Sequence, residues 1–365
     1  MKFKSCLLLI FLCSVILSYG QKSLNWYNPL EQQAVSGRIA DEQQARTNFY
    51  RLPADLQSSV RPPVWSLGTN SAGLYIDFHT SAKEISVRYK VRGSLNMPHM
   101  PTTGVSGLDL YAYDTQSKGW KWAHGKYAFG DTSSFKFSKI GNNGSRSYRL
   151  YLPLYNTVDW LQIGVDNGQE IQFVHDKEKP IVVYGTSIAQ GACATRPGLA
   201  WTNILGRHLG LPIINLGFSG NGRLEQPILS LINQVDARIF VLDCIPNLTI
   251  NDNLSEKQLD SLLTNAVTFL RKQHPQTPII LTEHSAGFND NIMNGGSATE
   301  YTASTRVLRT FVERMKREKV QQLYVLTNGD IAMDLESTVD YAHPNDLGMM
   351  KIAVAYERLI KKILQ

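Results

Sequence analysis

The chain has 365 residues, 43% of them hydrophobic and 19% charged, with 27 Gly and 15 Pro. That balance can bury a core and excludes disorder, collagen-like repetition and coiled coil; the length suits two domains. The formal charge of +6 is mild and scattered. Its densest cluster, Arg314–Lys319, reads as the solvated end of a helix rather than a nucleic-acid patch.

The chain opens with Lys2 and Lys4, an apolar run from Cys6 to Leu17, and the small-residue exit Ser18-Tyr19-Gly20. This is the layout of a secretory signal peptide over residues 1–20, its apolar run too short for a membrane span. Residues 21–176 read as strands and turns. Gly73–His79, Glu84–Val91, Leu108–Tyr113, Ser147–Leu152 and Trp160–Val165 are short, rich in β-branched and aromatic residues, and several alternate. Turn-formers such as Thr69-Asn70-Ser71 and Asp166-Asn167-Gly168 separate them. The only helical candidate here is Asp41–Arg46, so an antiparallel sandwich is expected.

A charged stretch, His175 to Pro180, marks the boundary to residues 177–365. Beyond it the apolar runs Ile181–Tyr184, Pro212–Leu216, Arg238–Leu242, Pro278–Leu281 and Gln322–Leu326 have the character of buried parallel strands. They alternate with amphipathic stretches at Ala200–Leu209, Ser255–Lys272, Ser304–Glu318 and Leu347–Leu364. Such alternation predicts an α/β layer fold with function at the carboxyl ends of the strands.

Chemistry-bearing residues gather at those ends. Gly185-Thr186-Ser187-Ile188-Ala189-Gln190-Gly191 matches neither a dinucleotide fingerprint nor a P-loop. Ser187 is either a helix N-cap or an exposed hydroxyl at a strand-to-helix turn. The second strand runs into Asn215–Gly222, whose three glycines let backbone N–H groups approach a ligand. The third runs into Asp243-Cys244-Ile245-Pro246-Asn247. Near the end, Asp340 precedes His343 by three residues, close enough to fix the imidazole tautomer.

In this order the blocks resemble the SGNH (GDSL-like) hydrolase superfamily. The resemblance implies a flavodoxin-like three-layer α/β/α domain and acyl transfer without metal or cofactor. It implies Ser187 as nucleophile, His343 as base and Asp340 as its orienting acid. The oxyanion donors would be the N–H groups of Ser187 and Gly220 and the side chain of Asn247. Thr186 stands where the family has Asp. D-C-I-P-N replaces the usual G-x-N-D, which makes Asn247 the weakest match. Gly107–Tyr111 (G-L-D-L-Y) resembles the signature of an N-terminal, jelly-roll-like β-sandwich domain that precedes such hydrolases in secreted bacterial proteins.

Cys193 and Cys244 are expected to be either a disulfide or two buried small hydrophobes, and no zinc-type spacing accompanies them. Trp65, Trp120 and Trp122 are core or sugar contacts. The loop Gly93–Gly104, with His99, is a candidate lid over Ser187 or an interdomain contact, and Gly107 and Asp109 are candidates to hold a turn at the domain interface. The function expected is that of a secreted or periplasmic serine esterase removing acetyl or other short acyl groups from carbohydrate. Its partner is an acylated small molecule or polysaccharide, not nucleic acid. The alternatives are a lipid esterase or thioesterase, or a catalytically idle carbohydrate-binding protein.

Overall fold

A computed structural model describes residues 23–40, 42–141, 146–285 and 297–365. The expected signal peptide lies outside them. In the first half the strands are β1 (Leu24–Tyr27), β2 (Val35–Ser36), β3 (Tyr75–His79), β4 (Glu84–Val91), β5 (Asp109–Asp114) and β6 (Gly119–Ala123). They continue with β7 (Lys126–Ala128), β8 (Ser133–Ser138), β9 (Ser147–Tyr151), β10 (Val158–Asp166) and β11 (Gln172–Val174). Two antiparallel sheets result, ordered β1-β10-β4-β8-β7 and β11-β3-β9-β5-β6, with β2 also on β3. Alternation explains the packing: Ile85, Val87 and Tyr89 of β4 and Phe135 and Phe137 of β8 point inward to meet Ile76, Phe78, Leu110 and Leu150 of the facing sheet.

This half also holds a helix that periodicity misses, Pro62–Gly68, opened by prolines at its first two positions. Seven residues are too few to display a helical repeat. Val60, Val64 and Leu52 from this segment join the core of the second half instead of the sandwich core.

In the second half β12 (Ile181–Gly185), β13 (Ile213–Gly217), β14 (Ile239–Asp243), β15 (Ile279–Thr282) and β16 (Leu323–Leu326) form one parallel sheet ordered β13-β12-β14-β15-β16. Helices Gln226–Ile232, Glu256–Gln273 and Ser297–Arg317 cover the face that carries Val182 and Tyr184. Helices Trp201–Leu209 and Asp346–Ile363 cover the face that carries Ile181 and Val183. Burial on both faces is why these strands are continuous apolar runs. The strand order reverses at β12, and a doubly wound sheet opens its crevice at such a reversal.

The two halves meet through buried polar contacts. Arg51, fully buried, donates to the carbonyls of Asn215 (3.1 Å) and Gly217 (2.7 Å) at the end of β13, and to those of Leu67 and Asn70 in its own half. Burial pulls its guanidinium down to about 9, so it stays charged at neutral pH. Asp109 of the G-L-D-L-Y segment accepts from Arg196 Nη1 (2.6 Å), the Gly198 N–H (2.9 Å) and Trp122 Nε1 (2.6 Å). Tyr111 adds a hydroxyl contact to the same Arg196 nitrogen at 2.8 Å. A side chain at Gly198 would collide with Tyr111 and Asp109, which is why the chain can come so near there.

Candidate active site

Ser187 follows β12 after a single intervening residue and is the first residue of the short helix Ser187–Gln190. Capping falls to its neighbour: Thr186 Oγ1 accepts the Ile188 N–H at 3.3 Å. The Ser187 hydroxyl is thereby left for another partner, His343 Nε2, at 2.8 Å. The opposite ring nitrogen, Nδ1, lies 2.7 Å from Asp340 Oδ2.

Asp340 is held by a tight local turn. Its other oxygen accepts the N–H groups of His343 (2.7 Å) and Ala342 (3.2 Å), and Tyr341 between them takes a left-handed φ of 69°. Burial pulls the Asp340 carboxyl upward, but the His343 N–H, the imidazole and the Ala342 N–H outweigh it and leave it below the ordinary carboxylate value. It therefore stays ionised at neutral pH. Immediately afterwards Asn345 caps the helix Asp346–Ile363 by accepting from the N–H groups of Leu347 and Gly348. His343 thus stands two residues before the cap of a long helix.

The loop after β13 turns tightly, with the Asn221 N–H donating to Phe218 O at 2.8 Å and Gly220 at φ 68°, a conformation glycine adopts freely. Gly220 is exposed at that turn. Gly222 lies against β12: a Cβ there would come within 2.4 Å of the Gly185 carbonyl oxygen. Its N–H donates to Asn247 Oδ1 at 3.0 Å, which fixes the carboxamide of Asn247 beside the residues leading into Ser187. Arg61 braces the loop from the first half, donating to Asn221 Oδ1 at 2.7 Å and pairing with Glu225. Ser187, His343 and Asp340 are joined directly, whereas Gly220 and Asn247 stand on the neighbouring turns of the same sheet edge.

Two supporting residues escaped the sequence reading. Gln190, fully buried, accepts the Ser219 N–H at 3.0 Å and donates to Leu154 O at 3.3 Å. It ties the Ser187 helix both to the Gly220 turn and to the sandwich. Tyr155, from the chain entering β10, reaches the Ser187 carbonyl at 3.5 Å, and burial raises its hydroxyl pKa. Neither carries a sequence signal, since a lone Gln or Tyr has many uses.

Cys193 and Cys244 are free thiols, each buried, so the pair is not a disulfide. Burial pushes Cys193 up to about 12. Of the tryptophans, Trp65 packs against the core of the second half. Trp120 is half-buried beside Arg149. Trp122 lies on the surface with the Arg196 guanidinium 4.2 Å from its ring centre. Among the described residues no group of three or more His, Cys, Asp or Glu is placed to hold a metal ion, and no helix is long and apolar enough to cross a membrane.

Beside Gly185, β14 ends in the buried Asp243, hydrogen-bonded to Tyr356, whose hydroxyl also meets Thr282 Oγ1 at 2.5 Å. Burial, opposed only in part by Tyr356, pushes its carboxyl up to about 7. In the unfolded chain it ionises near ~3.9. The native state therefore holds this proton more tightly, and stability is lost as pH rises from roughly 4 to 7. Asp243→Asn removes that loss. It should stabilise the protein by about 2–3 kcal/mol more at pH 8 than at pH 5 in urea unfolding. An equal effect at both pH values would show that ionisation of Asp243 is not what costs stability.

Comparison with known proteins fits this geometry. The GDSL-like Lipase/Acylhydrolase family matches residues 178–361, and the family described as the N-terminus of Esterase_SGNH_hydro-type matches residues 24–171. Among curated proteins none matches the chain. A solved structure described as a GDSL-like lipase, from Bacteroides ovatus ATCC 8483, is 31% identical, with a TM-score of 0.83 over 94% of this chain and 98% of that one. The salicylyl-acyltransferase SsfX3 from a tetracycline biosynthetic pathway is 18% identical, with a TM-score of 0.73 over 93% of this chain and 97% of its own. The acetyl xylan esterase Est2A from the rumen bacterium Butyrivibrio proteoclasticus is 11% identical, with a TM-score of 0.54 over 93% and 99%. The last two likenesses show the fold alone.

Proposed function

This chain belongs to the GDSL-like lipase/acylhydrolase family, and on that premise we propose that it is a secreted serine esterase removing acetyl or other short acyl groups from carbohydrate. The observation that carries the chemistry is the unbroken line Ser187 Oγ–His343 Nε2 (2.8 Å) and His343 Nδ1–Asp340 Oδ2 (2.7 Å).

Ser187 Oγ attacks the ester carbonyl while His343 Nε2 takes its proton, and Asp340 steadies the imidazolium that forms. The oxyanion develops against the N–H groups of Ser187 and Gly220 and against Asn247 Nδ2. Because Asn247 Oδ1 is already engaged by Gly222, the amide nitrogen is the end left for substrate. His343 returns the proton to the leaving alcohol, and water then repeats the sequence on the acyl-enzyme. A preset donor of this kind is worth about 3–4 kcal/mol in the transition state.

What supports the carbohydrate class is the polar make-up of the turns that follow β13 and β14, where Ser219, Asn221 and Asn247 are all half-buried, together with the N-terminal secretory layout. The acetyl xylan esterase shares the fold. The test is acetate release from a panel of acetylated poly- and oligosaccharides beside a Ser187→Ala control. Release from a glycan that disappears in the control is the expected result. Robust cleavage of long-chain p-nitrophenyl esters with no release from any glycan would overturn the substrate class in favour of a lipid esterase.

A further inference from the structure

Of the two roles expected for the loop Gly93–Gly104, a lid over Ser187 or an interdomain contact, its packing matches the second: it is docked rather than free. Met97 and Met100 exchange backbone hydrogen bonds (3.3 and 3.1 Å), leaving Pro98 and His99 as a two-residue tip. Met100 is buried in the hydrolase core, and Met97 packs against it. The following helix, Thr102–Val105, is pinned by Thr103 Oγ1 donating to Thr195 O at 2.7 Å, and Gly104 backs onto the Ala194 carbonyl. Ser106 Oγ holds the loop's other arm at Leu95 O, 2.9 Å away. The sandwich thus presents His99, exposed, at a fixed point, with its ring centre 6.4 Å from that of His343.

Both nitrogens of His343 are engaged, by Ser187 and Asp340. Those of His99 make no hydrogen bond to protein among the described residues, so they are available to a ligand. Resting on the reading of His343 as the base, we propose that His99 is a specificity-determining residue that binds a free hydroxyl of the leaving alcohol adjacent to the scissile ester. The leaving oxygen must lie within hydrogen-bond reach of His343 Nε2, roughly 3 Å. A hydroxyl on the next carbon of the alcohol lies a further ~3 Å on, within reach of a second imidazole at the observed spacing. One imidazole offers one donor and one acceptor, which matches a hydroxyl group and has no use for an alkyl chain.

The test compares 2-hydroxyethyl acetate with ethyl acetate, which lacks only that hydroxyl, on the wild type, His99→Ala and His99→Gln. The ratio of kcat/KM values for the two esters should fall about ten-fold in His99→Ala, the size of one hydrogen bond, and recover in part in His99→Gln. An equal loss on both esters would mean that His99 merely steadies His343. A ratio unchanged by His99→Ala, or no turnover of either ester by the wild type, overturns the proposal as well. Labelling by a serine-directed phosphonate keeps the two levels apart. If Ser187 is not labelled, the serine assignment itself has failed; if it is labelled and the ratio does not move, only the role of His99 has.

Discussion

Ser187→Ala is expected to lower kcat/KM on a short-chain p-nitrophenyl ester by about 10⁴- to 10⁶-fold, leaving the residual activity of oxyanion donors and binding alone. The size follows from the loss of the attacking atom, with His343 then having no hydroxyl to deprotonate. Stability should barely change. Thr186, not Ser187, caps the helix, and the deleted oxygen has its hydrogen bond to a half-exposed His343. Loss of one such contact costs about 1 kcal/mol. A variant with an unaltered melting temperature, no phosphonate labelling and this fall in rate would isolate the chemistry from the fold. Retention of a tenth of the activity would remove Ser187 from the nucleophile's role.

The residues that could be found in the sequence were those whose chemistry fixes their spacing. Asp340 and His343 lie three apart because a turn must return the carboxylate to the ring, and the turn that does so is built around the positive φ of Tyr341. Ser187 and Gly220 were marked by glycines that permit close approach at strand ends. Continuous apolar runs disclosed β12 to β16 because both faces of that sheet are covered. The sandwich was less legible. β8 alternates cleanly, with Ser133, Phe135 and Phe137 buried, yet its serines and lysine dilute the apolar signal. β7 is exposed throughout and β6 nowhere fully buried, both at sheet ends, so neither shows the buried alternation of a core strand. Arg51 and Gln190 carry no local signal because their partners, mostly backbone atoms, lie far away in sequence. His99 stands between these cases: its loop stands out in the sequence as Met97-Pro98-His99-Met100-Pro101, but its distance from His343 is a product of the docking of two domains.

The second large effect is expected at that docking, in Asp109→Ala. The carboxylate is buried. Burial raises its pKa, while Arg196, the Gly198 N–H and Trp122 work in the opposite direction. Its removal leaves three donors facing a gap, among them a guanidinium only 22% exposed. Breaking a buried pair from one side costs about 3–5 kcal/mol, far more than an exposed ion pair would. The consequence reaches the active site through a short physical path. Arg196 adjoins Thr195, whose N–H and hydroxyl grip Asp346 at 2.9 and 2.6 Å. Asp346 begins the helix that Asn345 caps, two residues past His343. Asp109→Ala should therefore destabilise the protein in urea and also slow phosphonate labelling of Ser187 under conditions where it remains folded. Asp109→Asn, which keeps an acceptor oxygen but loses the charge, should fall between the two. Destabilisation with an unchanged labelling rate would confine Asp109 to holding the domains together; full labelling and full stability would show that the buried carboxylate does neither.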